Sequence, residues 1–370
     1  MGLASIAIAG IGRTTPVRRS PKSLRALCIE AVQAAITDAG LEASDIDGVV
    51  TDGTIMPATV PRDFIAAHFR IDRRFDAGTS FGGAGSACGP QLAQLAIGSG
   101  LAKAVVYYFG VDWGTRASGP YGFNAQPTYF GMWTKRYRHE YGLEGRDLAH
   151  IAVTQRRNAL LHPDSQMKTP MTQDDYFAAR VIADPLRVPD CCLITDGACA
   201  FVMTSLERAR DLPHPPVTVL GTGFGSESAG GDDVFTQPHA LLRIAGAKTA
   251  CAQALHQAGI AITDVDFAQI YDCFSISCLI QLEELGFCPR GEAAAFIRER
   301  GIGIEGGLPV NTHGGLLSHS YLLGVEHVLE AVRQLRRAAG PAQVGNANVG
   351  LVGLWSTPDY GVLILGRDGA

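Results

Sequence analysis

The sequence predicts an α/β protein built from two similar halves. Three observations carry this. A helix–turn–strand segment near the start returns 219 residues later, and each half holds a glycine-rich turn followed by a helix and a buried strand. The length of 370 residues with 46% hydrophobic content is long for one compact core and normal for two packed units.

The repeat pairs AVQAAITDAGLEASDIDGVV (31–50) with ACAQALHQAGIAITDVDFAQ (250–269). Ala39-Gly40 falls on Ala258-Gly259, Asp45 on Asp264 and Asp47 on Asp266, while Leu41 and Ile46 fall on Ile260 and Val265. Each segment reads as an amphipathic helix stopped at Ala-Gly, then an acidic turn and a short strand. Chance is the alternative explanation, since helix–Ala-Gly–turn–strand is a common pattern in α/β proteins. Read as a duplication, it predicts two α/β halves, 1–215 and 216–370.

The second elements correspond too. GGAGSACGPQLAQLAIGSG (82–100) gives a turn and a helix, followed by the strand AKAVVYYFG. GGLLSHSYLLGVEHVLEAVRQLRRAAG (314–340) gives a turn and a helix, followed by a strand near Ala347–Val352. Two helix N-termini, one per half, would face a shared centre, where free N–H groups and positive potential suit a developing oxyanion. Residues 112–185, aromatic and polar, read as an irregular insertion late in the first half. Residues 181–204 return to strand-like hydrophobicity.

The net charge of -5 and pI near 6.1 exclude the concentrated basic surface that nucleic acid requires. No apolar run approaches the roughly 20 residues of a membrane span. The first residues are apolar and then basic, the reverse of a signal peptide. Met1-Gly2 opens a myristoylation pattern, but Ile6 stands where Ser or Thr is needed. Nine cysteines, an odd number with Cys191 and Cys192 adjacent, point to reduced thiols in the cytoplasm. No Cys or His spacing suggests a metal.

Four runs then carry a resemblance: VIADPLRVPDCCLITDGACA (181–200), YDCFS (271–275), LGFCPRG (285–291) and NTHGGLLS (311–318). In this order, and over nearly the whole chain, they resemble the lipid-transfer thiolases, the branch that includes the thiolase domain of sterol carrier protein. The patterns there are ADPL-x-x-x-DC-x-x-SDGA, HDCFS, LGLCPEG and NPSGGLIS. The resemblance implies the duplicated thiolase fold, a five-layered α-β-α-β-α sandwich.

It also shows what is missing. A thiolase needs a cysteine at the tip of the first half's helix, where the helix N-terminus activates a thiolate. Family spacing places that site on Gly83, which cannot be a nucleophile. Cys88 lies five residues on, and its plain role is a core thiol. Ser86 is a weaker candidate, with a plain role as a helix-start hydroxyl. The HDCFS histidine is replaced by Tyr271. Aligning GGLLSHSYLLG on GGLISKGHPLG puts Tyr321 on the second histidine and His319 on the lysine.

Two tyrosines at these positions resemble a side branch, the aldolases that shorten steroid side chains attached to CoA. There the YD-x-F tyrosine and the GGLLS-x-x-Y tyrosine are catalytic. The resemblance therefore implies a retro-aldolase acting on a β-hydroxyacyl-CoA with a bulky, steroid-like group. It implies the CoA thioester as substrate, no cofactor and no cysteine nucleophile. Gly83, Ser86, His313, Gly314 and Gly315 are the expected substrate-binding positions. Retro-aldol cleavage needs a group to take the β-hydroxyl proton and donors for the thioester enolate. A tyrosine with pKa near 10 is a poor base, so it needs a neighbour to lower its pKa or to relay the proton. His319, His313 and Asp272 are the local candidates, and the residues leave the choice among them open. The alternatives are thiolase-type acyl transfer through Cys88 or another thiol, and a non-catalytic lipid- or acyl-CoA-binding protein. The resemblance further implies a homodimer and a partner, a small OB-fold, zinc-ribbon protein of the domain of unknown function 35 type.

Overall fold

The computed structural model describes residues 4–53, 60–116, 125–226, 242–356 and 359–369. The first half comprises β1 (Ile6–Arg13), α1 (Leu24–Asp38), β2 (Gly48–Asp52), α2 (Arg62–Phe69), β3 (Phe75–Thr79), α3 (Gly85–Gly98) and β4 (Ala104–Asp112). It continues with α4 (Trp113–Arg116), α5 (Ala125–Tyr141), α6 (Gly145–Leu160), α7 (Gln173–Ala178), β5 (Val181–Ala183), β6 (Leu186–Arg187), β7 (Asp196–Ser205) and α8 (Leu206–Ala209). The second half comprises β8 (Val217–Ser226), α9 (Ala245–Ala258), β9 (Phe267–Ile270), α10 (Ser275–Glu284), α11 (Ala293–Arg300), α12 (Val325–Leu335), β10 (Val349–Ser356) and β11 (Asp359–Arg367).

The repeated residues do the same work twice. α1 is capped by Ser23, whose hydroxyl accepts from the Ala26 amide, and buries Leu24, Leu27, Cys28, Ala31, Val32, Ala35 and Ile36 along one face. It stops where Gly40 turns left-handed, and α9 stops at Gly259 in the same conformation. The Asp45 carboxylate accepts from the Glu42 amide, and that of Asp264 accepts from the Ala261 amide. Asp47 then accepts from the amides of Lys103 and Ala104, tying β2 to the start of β4. Asp266 accepts from the amides of Asn348 and Val349, tying β9 to the start of β10. Amide-to-carboxylate bonds are charge-assisted and among the stronger local ties.

The sheet repeats with the same order. From the seam outward, the first half runs β1-β7-β4-β2-β3 and the second β8-β11-β10-β9. In both, the first two pairings are antiparallel and the next is parallel. β3 lies parallel on β2, and the matching place beside β9 is taken by a parallel bridge, Ala268 to Val310. β1 and β8 pair over Ala7–Thr218 and Ile8–Val217, which makes the half-sheets one sheet of nine strands. α3 packs on β2 and β3 and also on β8, β10 and β11, while α12 packs on β9, β10 and β11 and also on β1 and β7. These two helices are therefore the middle layer. With α1 and α9 outside, the layers are α-β-α-β-α, as the resemblance implies.

Two local expectations are corrected. The stretch expected to be irregular holds α5, α6 and α7 among its described residues. Phe130, Trp133 and Tyr137 of α5 are all buried, and their three- and four-residue spacing is a helical stripe. In the second half the helix does not follow the glycine turn directly. Gly315–His319 forms a wide π-type turn, Ser320 is extended, and α12 starts only after Leu323 (φ 56°) and Gly324 (φ 86°). Tyr321 therefore sits on a loop between two turns.

Candidate active site

Tyr271 follows the end of β9, where its amide donates to the Gly353 carbonyl of β10 at 3.0 Å. Its own carbonyl accepts from Ser277 Oγ (3.2 Å) and from the Gln281 side chain, both on α10. The backbone is thus fixed on both sides, and the ring is buried. Both middle-layer helices start against this ring. A Cβ built on Gly324, which precedes α12, would lie 3.2 Å from Tyr271 Cδ2. A Cβ built on Gly83, in the turn entering α3, would lie 2.8 Å from Tyr271 Cε2 and overlap the Trp355 carbonyl oxygen. The expected nucleophile position thus lies where the two halves meet, and Tyr271 fills the space a side chain there would use.

Tyr321 arrives from the opposite loop. Its hydroxyl lies 2.8 Å from that of Tyr271, a hydrogen bond in which either phenol can donate. The Trp113 ring packs at 4.5 Å from the Tyr321 ring. Burial pushes both phenols well above their ordinary pKa, with the electrostatics of Tyr321 adding to the shift at Tyr271 and those of Cys192 and Cys273 at Tyr321. The neighbour expected to lower a phenol pKa does not prevail. At neutral pH both hydroxyls keep their protons.

Asp272 and the histidines stand behind the pair. Asp272 Oδ1 accepts from the Leu316 amide at 2.8 Å and lies 3.4 Å from His327 Nε2. Its other oxygen faces Gly315, where a Cβ would overlap it and where φ is 61°. Only glycine fits there, and Asp272 is the anchor of the GGLLS turn. A Cβ on Gly314 would lie 2.5 Å from Ala159 Cβ of α6. His319 points away from the tyrosine pair: Nε2 meets Arg13 Nη1 at 3.1 Å and Nδ1 meets Ser320 Oγ at 2.8 Å. Its ring is 4.9 Å from that of His313 and 5.4 Å from that of His162, and His313 is 4.9 Å from His327. Burial, with the neighbouring cationic groups, pushes His313 and His319 well below the ordinary imidazole pKa. The four rings form a buried cluster under the loop that carries Tyr321.

Ser86 lies in the first turn of α3, buried, with no partner for its hydroxyl among the described residues. Cys88 is two residues further in, and its sulfur would lie 3.4 Å from a Cβ on Gly361 of β11. Burial, then Asp359 and Asp52, push its thiol up to about 12, so it is protonated at neutral pH. No group of three or more His, Cys, Asp and Glu side chains among the described residues could hold a metal. Sequence reasoning passed over Thr195, Gln166 and Glu326, which bind the Tyr321 loop through backbone atoms. Only Glu326 left a signal, as a carboxylate in the otherwise apolar run LLGVEHV.

Comparison with known proteins fits this geometry. The thiolase C-terminal domain-like family model matches residues 231–363. The chain is 38% identical to a steroid side-chain-cleaving aldolase of Thermomonospora curvata, covering 98% of each. It is 34% identical to the 17-hydroxy-3-oxo-4-pregnene-20-carboxyl-CoA lyase of Mycobacterium tuberculosis, covering 97% of this chain and 98% of that one. It superposes on the solved Ltp2-ChsH2(DUF35) aldolase with a TM-score of 0.91 at 36% identity, over 100% of this chain and 99% of that one.

Proposed function

Because this chain belongs to the thiolase-like family of steroid side-chain-cleaving aldolases, we propose that it cleaves a β-hydroxyacyl-CoA by retro-aldol chemistry through the hydroxyl pair of Tyr271 and Tyr321. The 2.8 Å contact between two buried phenols, where thiolases keep histidines and with no room for a nucleophile at position 83, is the observation that carries the reading.

The pair explains how protonated tyrosines can do base chemistry. The substrate β-hydroxyl gives its proton to one phenol oxygen as that phenol passes its own proton to the other, and the second phenol gives up its own proton to the α-carbon in the same concerted step. The carbinol oxygen becomes a carbonyl, and the bond between the β- and α-carbons breaks. Its electron pair develops as a thioester enolate and is taken up by the proton from the second phenol, giving a ketone or aldehyde and a shorter acyl-CoA. Protons balance over the cycle, so no free tyrosinate and no cofactor are needed. The unpartnered Ser86 hydroxyl at the start of α3 and the helix N-termini supply donors for the enolate oxygen.

A steroid-like tail, action in the cytoplasm and a homodimer extend the same reading. Among the described residues no helix is long and apolar enough to cross a membrane, and all nine cysteines are free. The direct test is incubation with 17-hydroxy-3-oxo-4-pregnene-20-carboxyl-CoA, the substrate named for the Mycobacterium relative. Release of the 17-ketone with propionyl-CoA is expected, and release of neither defeats the proposal. Cys88→Ala should leave turnover within a few-fold, because a thiol held near 12 supplies almost no thiolate. Loss of activity in a folded Cys88→Ala variant would return the acyltransferase reading.

A domain of unknown function 35 protein is the proposed partner, since the similar solved structure is an Ltp2-ChsH2(DUF35) aldolase. The isolated chain should turn over weakly and gain activity on mixing with the product of a neighbouring OB-fold gene. Full activity alone, with no gain on mixing, would make the partner unnecessary.

A further inference from the structure

The loop carrying Tyr321 cannot set its own geometry. Ser320 is extended, Leu323 and Gly324 are left-handed, and among the described residues no backbone carbonyl receives the amides of Tyr321 and Leu322. Both amides go to side chains instead. The Tyr321 amide donates to Thr195 Oγ1 at 2.9 Å, and the Leu322 amide donates to Glu326 Oε1 at 2.7 Å. We propose that Thr195 and Glu326 are positioning residues that hold the Tyr321 hydroxyl at the Tyr271 hydroxyl by clamping the two amides that flank the Tyr321 α-carbon. This rests on the reading of Tyr271 and Tyr321 as the reacting pair.

Thr195 is itself oriented. Its hydroxyl donates to Gln166 Oε1 at 3.0 Å, which turns an oxygen lone pair toward the Tyr321 amide. The Gln166 amide donates to the His319 carbonyl at 2.8 Å, closing a ring of bonds around the loop. Thr195 is fully buried, so water cannot replace it.

Glu326, in the first turn of α12, is 2% exposed, and its Oε2 has no hydrogen-bond partner among the described residues. The groups facing it are His327 on its own helix, Asp272 after β9, Cys199 on β7 and Tyr321. Arg13 of β1 lies beside Cys199. Burial pushes Glu326 up to about 7, against the pull of His327 and the Leu322 amide. A carboxylate accepts an amide more strongly than a neutral carboxyl does, so the clamp tightens as pH rises through neutrality.

The test measures kcat and KM for 17-hydroxy-3-oxo-4-pregnene-20-carboxyl-CoA from about pH 5.5 to 9, on the full chain with its partner, for the wild type and four variants. A misplacement of about 1 Å at a reacting group can cost on the order of 10²-fold. Thr195→Val should therefore cut kcat by about 10 to 10²-fold with KM nearly unchanged, and Thr195→Ser should restore it. Glu326→Gln should remove the rise in kcat near neutral pH. Unchanged kcat in Thr195→Val, a loss that Ser does not rescue, or a neutral limb that survives Glu326→Gln overturns the clamp. Tyr321→Phe separates the two ideas. If it is inactive while the clamp variants are normal, the clamp alone falls. If it keeps full rate, the tyrosine pair and the clamp fall together.

Discussion

Tyr271→Phe and Tyr321→Phe are each expected to lower turnover by about 10² to 10⁴, or roughly 3 to 5 kcal/mol of barrier, the usual worth of a general acid–base group. Phenylalanine keeps the ring of Tyr271 between the two helix starts and that of Tyr321 against Trp113, and removes only a hydroxyl. Folding should change by about 0.5–1.5 kcal/mol, the net worth of one hydrogen bond. Since the two hydroxyls act as one proton-passing unit, the double variant should cost about as much as either single change rather than their product. Near-normal rates in both single variants on a confirmed substrate would remove the pair from the mechanism. Rates that multiply in the double variant would show two independent groups instead of a unit.

Gly83→Cys should be nearly as damaging, although it restores the residue type that a thiolase places there. The new Cβ meets the Trp355 carbonyl, which is backbone, and the Tyr271 ring at 2.8 Å. Overpacking of this kind costs about 1–3 kcal/mol or more. Relief has to come from displacing Tyr271, which separates the hydroxyls. Turnover should fall by about 10² or more, the melting temperature should drop, and Gly83→Ala should do the same without a thiol. Mass spectrometry after incubation with acetyl-CoA should find no acyl adduct on Gly83→Cys. A stable acyl-enzyme, or full retro-aldol activity in this variant, would mean that the site has space for a nucleophile after all.

How much of this was visible beforehand follows from what each residue contacts. The repeated aspartates were legible because they act on neighbours in sequence or at strand starts, and such local work leaves a residue type at a fixed spacing. Tyr271 and Tyr321 stood out because they occupy motif positions. Their 2.8 Å contact and the upward shift of their pKa values were not legible, since both depend on burial and on loops 50 residues apart. His319 adjoins Tyr321 by two residues in the chain, yet the π-type turn and the extended Ser320 swing it to Arg13. Thr195 and Glu326 bind backbone amides, which exist at every position and so mark no particular partner. In α5 the aromatic spacing was present but was outweighed by the polar residues between.

The placement of β1 governs the order in which the molecule can be assembled. This first strand pairs with β7 and β8, which begin at Asp196 and Val217. Its Ala9 carbonyl accepts from Arg336, 327 residues away, and Arg13 meets His319 across 306. At ribosomal rates of about 5–20 residues per second, an apolar strand waits on the order of 10–40 s for its first partner and longer for its last. Contacts of such sequence separation form slowly, and an unpaired strand edge invites aggregation meanwhile. The tyrosine centre therefore forms late, because its parts come from Thr195, Tyr271, Tyr321 and Glu326, and the histidine cluster behind it is joined to β1 through Arg13.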